Sequence, residues 1–116
     1  GGNQLACYVA LAVIREITKK KFLKKVEKYG VFLKEKLEIF KTNYPTIITS
    51  IKGKGLLSGI ELNTPTDVFC KLAREKKLLL VPAANNVVRI LPPLNVKKNE
   101  IKIAISVIEE CLKEVS

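Results

Sequence analysis

The sequence contains no histidine and only three cysteines, and these scarcities exclude several kinds of site. The cysteines are Cys7, Cys70 and Cys111, too far apart for the clustered ligands of a structural zinc site. Without histidine, neither a Cys-His nor a Ser-His nucleophile can be assembled. An odd number of widely spaced cysteines with apolar neighbours instead predicts buried thiols in a reducing compartment, without a disulfide.

Long apolar runs are also lacking. The longest, residues 5–14, has ten residues, whereas a membrane span needs roughly 17 to 25. No basic segment precedes it as in a signal peptide. Since 116 residues with 47% hydrophobic side chains suffice for one core, we expect a single soluble domain in the cytoplasm, with no membrane partner.

Positive charge, by contrast, is abundant. The net charge is +10, and twelve basic but only four acidic residues lie between Arg15 and Lys54. A basic segment of this kind could bind nucleic acid or acidic partners, and the chain would then act as a stand-alone basic module. However, Phe22, Tyr29 and Phe40 recur at the spacing of an apolar stripe rather than among the lysines, which disfavours base stacking. We therefore predict a solvated basic face and no specific nucleic-acid partner.

The periodicity of apolar residues predicts an α+β fold, with a small, mostly antiparallel sheet covered by helices. A long helical segment precedes the sheet, and turn residues separate the later elements. The predicted elements, in order, are a helix over residues 4–17 capped by Asn3, an amphipathic helix over residues 22–40, strands over 47–52 and 56–62, a helix over 67–76 capped by Thr66, strands over 78–81 and 87–91, and a final helix capped by Asn99.

One arginine, Arg89, lies in an otherwise apolar run that two prolines end. Alternation along a strand gives it the same face as Val87 and Leu91, neither of which is polar. A guanidinium keeps its proton, and burying it unpaired costs several kcal/mol. We therefore expect Arg89 to meet a carboxylate of a ligand or of the protein. A structural salt bridge or an arginine at a sheet edge is the alternative to a binding role.

The glycine-rich segment from Gly53 to Gly59 superficially suggests phosphate binding. A dinucleotide fingerprint would need glycine where Ser58 stands, and the P-loop pattern also fails. A hairpin turn, with Gly59 allowing a close backbone approach, fits better. At the start of the chain, Gly1, Gly2 and Asn3 precede a helix whose free N–H groups could face an anion, but a simple cap is the favoured interpretation of these residues alone.

Three blocks together resemble a known family. They are GGNQLAC at residues 1–7, KGKGLLSGIEL at 52–62 and NVVRILPPL at 86–94. In order and spacing they are similar to successive signatures in the C-terminal part of class III pyridoxal-phosphate aminotransferases, most closely the acetylornithine aminotransferase group. Gln4 departs from the pattern, which usually has proline there; proline in the first helical turn is only a stabilising preference.

The resemblance implies the C-terminal small domain of a fold-type I aminotransferase, with residues 1–18 as a connecting helix from a large domain and 19–116 as the small domain. It implies that Arg89 binds a substrate carboxylate, and that Gly1, Gly2 and Asn3 lie beside the phosphate region of pyridoxal 5′-phosphate. In the family the Schiff-base lysine precedes the first block. No catalytic residue and no metal ligand are therefore assigned within this chain, which should bind no cofactor alone.

The reaction implied is reversible amino transfer between N-acetylornithine and 2-oxoglutarate in arginine biosynthesis. An ornithine or 4-aminobutyrate aminotransferase is the alternative within the family, because the same blocks recur there. The partners implied are an N-terminal cofactor-binding domain, the second subunit of a homodimer and a small carboxylate substrate.

Overall fold

The computed structural model describes residues 2–54, 56–91 and 96–116, with side chains described from residue 20 onwards except that of residue 22. Within these ranges the fold is α+β, as predicted. Its elements are α1 Gly2–Asn43, β1 Ile48–Lys54, β2 Leu57–Leu62, α2 Thr66–Glu75, β3 Leu80–Ala83, β4 Val87–Ile90 and α3 Lys98–Val115. None of the described helices combines the length and the apolar character that crossing a bilayer requires.

A single helix of 42 residues, α1, replaces the two helices predicted for this part of the chain. The prediction of a break was wrong because the Lys19–Lys21 cluster contains no helix breaker, and lysine is a good helix former. Asn3 is not the cap either, since the helix already begins at Gly2. The proposed boundary between residues 18 and 19 therefore falls inside one continuous helix. Pro45 follows shortly after the helix end at Asn43.

The four strands form one antiparallel sheet in the order β1-β2-β4-β3. The predicted hairpin of β1 and β2 is confirmed, and Gly53 near its turn has φ +88°. A second hairpin joins β3 to β4 through Asn85 and Asn86, both left-handed with φ of 64° and 60°. Asparagine tolerates this conformation better than most residues. Two hairpins joined by the β2–β4 pairing thus account for the antiparallel sheet.

All three helices contribute to one core against one face of the sheet. Along β4, Val88 and Ile90 are buried whereas Arg89 between them is exposed. Cys70 of α2 and Cys111 of α3 are free, buried thiols, as their apolar neighbours predicted, whereas the side chain of Cys7 lies outside the described residues. The core side chains are Leu33, Leu37, Phe40, Ile47, Ile48, Leu56, Ile60, Leu62, Phe69, Cys70, Ala73, Leu80, Val88, Ile90, Ile101, Ile105, Val107, Ile108, Cys111 and Leu112.

Two of the predicted caps were wrong by one or two residues. α2 begins at Thr66 itself, with Pro65 as N-cap, and α3 begins at Lys98, so that Asn99 lies within its first turn. At α3 the backbone N–H of Lys97 donates to Glu100 Oε1 at 3.3 Å. The Glu100 carboxylate therefore satisfies a backbone donor at the start of α3. The sequence pattern predicted instead that the side chain of Asn99 would cap this helix.

Candidate functional site

Arg89 lies on the face of the sheet opposite the core. It pairs with Gly59 of β2 on one side and with Val81 of β3 on the other. The side chain is exposed, so the expectation that an apolar strand would desolvate it was wrong. Only the alternate positions Val88 and Ile90 are buried. The guanidinium consequently avoids the desolvation penalty that the sequence argument assumed.

Gly59 lies directly between two basic residues in the sheet register. Lys52 of β1 pairs with it on one side and Arg89 of β4 on the other. A Cβ at this position would come within 2.9 Å of Val87 Cγ1 and 3.6 Å of Lys52 Cβ. The glycine therefore keeps an open space on this face between the two cations, which refines the predicted close backbone approach.

An open cavity of about 460 Å³ occupies this face of the sheet. Its floor is formed by strand residues and its rim by the two hairpin turns. The lining residues are Lys52, Gly53, Leu57, Ser58, Gly59, Glu61, Ala83, Ala84, Asn85, Val87, Arg89 and Leu91. Only two cationic side chains and one carboxylate are among them, so the cavity is positively charged.

The one carboxylate of the cavity is engaged on the β1 side. Glu61 Oε1 accepts a hydrogen bond of 2.7 Å from the Thr49 hydroxyl, and Glu61 Oε2 lies 3.9 Å from Lys52 Nζ. No carboxylate of the described residues lies within 4.0 Å of the Arg89 guanidinium. Arg89 is therefore the cation of this cavity that remains free to grip an anionic ligand, and its planar fork suits a carboxylate.

The other predicted binding residues are not brought to this cavity by any described contact. Gly1 lies outside the described residues, whereas Gly2 and Asn3 begin α1. Strand alternation within β2 places Glu61 on the face of Gly59, and the register of the predicted hairpin adds Lys52, although neither was predicted as a site residue. The turn residue Asn85 joins them only through the pairing of β4 with β2, which sequence alone does not specify.

Pyridoxal phosphate does not fit the described cavity as it stands. Lys52 is the only lysine among the described residues that line the cavity. Its side chain is 53% exposed and is paired with Glu61. A Schiff-base lysine needs instead to be desolvated or otherwise activated. The described part of the chain likewise contains no group of three or more potential metal ligands. Binding a carboxylate through Arg89 is the chemistry that this arrangement supports.

Comparison with known proteins gives a consistent result. The family model for aminotransferase class-III matches residues 1–112. An acetylornithine aminotransferase from Clostridium acetobutylicum is 42% identical over 114 residues, which cover 97% of this chain but 29% of that protein. A probable mitochondrial acetylornithine aminotransferase from Schizosaccharomyces pombe is 38% identical over 116 residues, which cover 100% of this chain and 26% of that protein.

Among solved structures, the acetylornithine aminotransferase from Elizabethkingia anophelis superposes on this chain with a TM-score of 0.77. The two are 30% identical, and the superposition covers 95% of this chain and 28% of that one. The chain thus spans between a quarter and a third of the length of these similar proteins.

Proposed function

The chain belongs to the class-III aminotransferases, and from that membership we propose that it is the C-terminal small domain of an acetylornithine aminotransferase. Its parent protein would transfer an amino group between N-acetylornithine and 2-oxoglutarate. Identity of 42% along 97% of this chain, covering only 29% of the similar enzyme, supports both the activity and the status as one domain of a larger protein.

In this proposal, residues 1–18 form the helical connection to a large domain, and residues 19–116 form the small domain. The continuity of α1 across residue 18 supports a stiff connection, because an unbroken helix transmits orientation from one domain to the next. The shared core of α1, α2, α3 and the sheet supports grouping the remainder as one domain.

Arg89 has the role of holding the substrate carboxylate. Its exposed guanidinium has no described carboxylate within 4.0 Å, and Gly59 leaves space beside it. Two parallel N–H···O contacts fix both the distance and the plane of a carboxylate. The consequence is that the opposite end of the substrate, which carries the reacting amino or keto group, is held in a defined direction.

Pyridoxal 5′-phosphate is the cofactor that family membership implies, and it supplies the electron sink for amino transfer. We assign its Schiff-base lysine and ring contacts to an N-terminal domain, because Lys52 is half-exposed and engaged by Glu61. Gly1, Gly2 and Asn3 would lie beside the cofactor phosphate. The chemical basis of this placement is that free backbone N–H groups at a helix N-terminus favour an anion.

The partners in this proposal are the N-terminal domain, a second subunit in a homodimer and the carboxylate substrate. We also propose a cytoplasmic location, whereas the similar protein from S. pombe is named mitochondrial. The role in arginine biosynthesis follows only if N-acetylornithine is the amino donor.

The choice of amino donor is tested by steady-state kinetics of the complete enzyme with 2-oxoglutarate as acceptor. We expect kcat/KM for N-acetylornithine to exceed that for ornithine and for 4-aminobutyrate by at least about tenfold, a difference of roughly 1.4 kcal/mol in transition-state binding. A preference for ornithine or 4-aminobutyrate would assign the chain to that branch of the family instead. Absence of amino transfer with all three donors would contradict the proposed activity.

A further inference from the structure

A continuous row of lysines runs along the helical side of the molecule. On α1, Lys21, Lys25 and Lys28 precede Phe32 and Lys36 at spacings of three and four residues, which place them on one face of the helix. Between Lys21 and Lys36 this face is about 22 Å long at the rise of an α-helix. We call the row the lysine strip; it comprises Lys21, Lys25, Lys28 and Lys36 of α1 together with Lys98 and Lys102 of α3.

Phe32 is where the two helices of the strip meet. The ammonium of Lys36 lies 5.7 Å from the centroid of the Phe32 ring and that of Lys98 lies 5.4 Å from it. Lys102 lines the same groove as Phe32 and Lys36. Cation–π attraction holds ammonium groups of this kind near the aromatic face. Lysines distant in sequence are thereby gathered into one surface, a grouping that no sequence pattern around Phe32 predicted.

The strip is not neutralised by the described carboxylates. None of its six lysines has a carboxylate partner within 4.0 Å among the described residues. Glu109, the acidic residue of the Phe32 groove, pairs with Lys113 at 3.5 Å. Glu35 and Glu38 line a shallow groove that shares Ile39 with the Phe32 groove, but neither carboxylate lies within 4.0 Å of a strip lysine. The strip therefore presents a line of free positive charge.

We propose that the lysine strip binds the phosphate backbone of double-stranded nucleic acid, without reading its sequence. A duplex carries one negative charge per roughly 1.7 Å of axis and releases condensed counterions when lysines neutralise its phosphates. An acidic peptide has a lower density of charge. The strip also lacks a free stacking surface, because lysine ammonium groups occupy the Phe32 ring, so unpaired bases gain little from it.

An anionic membrane fits the strip less well. Membrane-surface helices insert an apolar face into the lipid boundary. The main apolar stripe of α1, with Leu33, Leu37 and Phe40, is instead buried in the core, while Leu23, Val31 and Ile39 are the apolar side chains of this helix that are partly exposed among the described residues. The strip also lies on the helical side of the molecule, away from the cavity of Arg89, so nucleic-acid binding and carboxylate binding should be independent.

The test is fluorescence anisotropy of the complete chain with a labelled 24-base-pair DNA duplex of arbitrary sequence, at several salt concentrations. One variant carries Lys25→Gln, Lys28→Gln and Lys102→Gln. The control carries Lys34→Gln, Lys54→Gln and Lys71→Gln, all at exposed positions outside the strip. Both variants lower the net charge of +10 by the same three units. Circular dichroism establishes that each variant is folded.

We expect the unsubstituted chain to bind with a slope of log K against log salt near −5, from about six phosphates neutralised. The strip variant should lose roughly tenfold or more in affinity and about three units of slope, whereas the control should retain most of both. Arg89→Ala should leave binding unchanged. Equal losses in both triple variants, a preference for one duplex sequence, or tighter binding to single strands, poly-glutamate or anionic phosphatidylserine vesicles would overturn the proposal.

Discussion

At the scale of single residues, position in the strand matters more than the polarity of sequence neighbours. Arg89 is surrounded in sequence by apolar residues, yet it is exposed, because the flanking Val88 and Ile90 point into the core. An arginine exposed on a strand between two paired strands is held at a fixed place while its fork remains available. This combination suits recognition of a carboxylate.

Replacement of Arg89 by alanine in the complete enzyme should impair turnover of every carboxylate substrate. Losing a charge-assisted bidentate contact predicts a fall in kcat/KM of roughly 30- to 1000-fold, with cofactor binding nearly unchanged. Arg89→Lys should recover little, because an ammonium keeps the charge but not the planar fork. Steady-state kinetics and the cofactor absorbance spectrum measure the two effects. If Arg89→Ala unfolds the chain and Arg89→Lys restores it, Arg89 is a structural residue.

Gly59 provides a second test at the residue scale. Gly59→Leu places a bulky side chain between Lys52 and Arg89, so we expect KM for the carboxylate substrate to rise by roughly tenfold or more, as contact with the arginine is obstructed. Gly59→Ala is the matched control: its Cβ would lie 2.9 Å from Val87 Cγ1, so the Val87 side chain must shift, but no side chain then extends between Lys52 and Arg89. Equal kinetics for the leucine variant and the unsubstituted enzyme would contradict a substrate site at this cavity.

At the scale of elements, the β1–β2 hairpin depends on one backbone conformation. Gly53 has φ +88°, and a Cβ there would collide with the Leu57 carbonyl oxygen. We expect Gly53→Ala to lower the free energy of unfolding by roughly 1 to 3 kcal/mol, because the residue is strained and the carbonyl must move. Urea denaturation measures the change. Gly59→Ala, at a position without positive φ, should cost less, and the reverse order would show that the hairpin relaxes freely.

The packing of α2 against α3 should be sensitive to alkaline pH. Burial raises the pKa of the Cys111 thiol, an effect that nearby Lys76 partly offsets, and burial also raises the pKa of Cys70. Lys76 itself has a raised pKa, mainly through its hydrogen bond with Glu114. A raised folded-state pKa means that the unfolded chain releases its proton first as pH rises.

Stability should therefore be highest below the ordinary thiol pKa of about 8.5 and should fall above it, by at most about 1.4 kcal/mol per pH unit for each thiol. The loss of the Lys76 proton adds to this above about pH 10.4. Urea denaturation from neutral to alkaline pH measures the trend, and Cys111→Ala should make it shallower. Stability that rises with pH over this range would show that these thiols are not buried.

At the scale of the whole molecule, the described helices cover the sheet on one side. The open face carries the cavity of Arg89, with Leu57 69% and Leu91 48% exposed beside it. Large exposed apolar side chains grouped around a cavity are typical of a surface that meets another domain or ligand. This exposure agrees with the proposal that the chain acts together with a large cofactor-binding domain.

The chain by itself should have no transaminase activity and should form no Schiff base at a specific lysine. Lys52, the only lysine among the described lining residues of the cavity, has a side chain that is 53% exposed and paired with Glu61, so it is not desolvated as a Schiff-base lysine needs to be. The measurement is borohydride trapping with pyridoxal phosphate, followed by peptide mapping. Scattered substoichiometric labelling is the expected outcome. Stoichiometric labelling of one lysine would contradict the proposed division of residues between the domains.

Local sequence patterns were sufficient to predict the fold class, most of the elements and the family. Apolar periodicity is local, so it identified the hairpin around Gly53 and the final helix with Ile101 and Ile108 in the core. Apolar periodicity wrongly predicted two helices in place of α1, because a cluster of lysines interrupts the apolar stripe while the helical backbone continues. Exact helix starts were missed at Thr66 and Asn99, where alternative caps compete within one turn.

Only the tertiary structure decided which residues share a surface. The pairing of β2 with β4 places Gly59 and its neighbour Lys52 beside Arg89, although about thirty residues separate the strands in sequence. The docking of α3 on α1 likewise brings Lys98 to Phe32. Strand register and helix docking arise from the packing of the whole core, so no local pattern specifies them. The exposure of Arg89 follows from the same cause, because the core accepts only one face of β4.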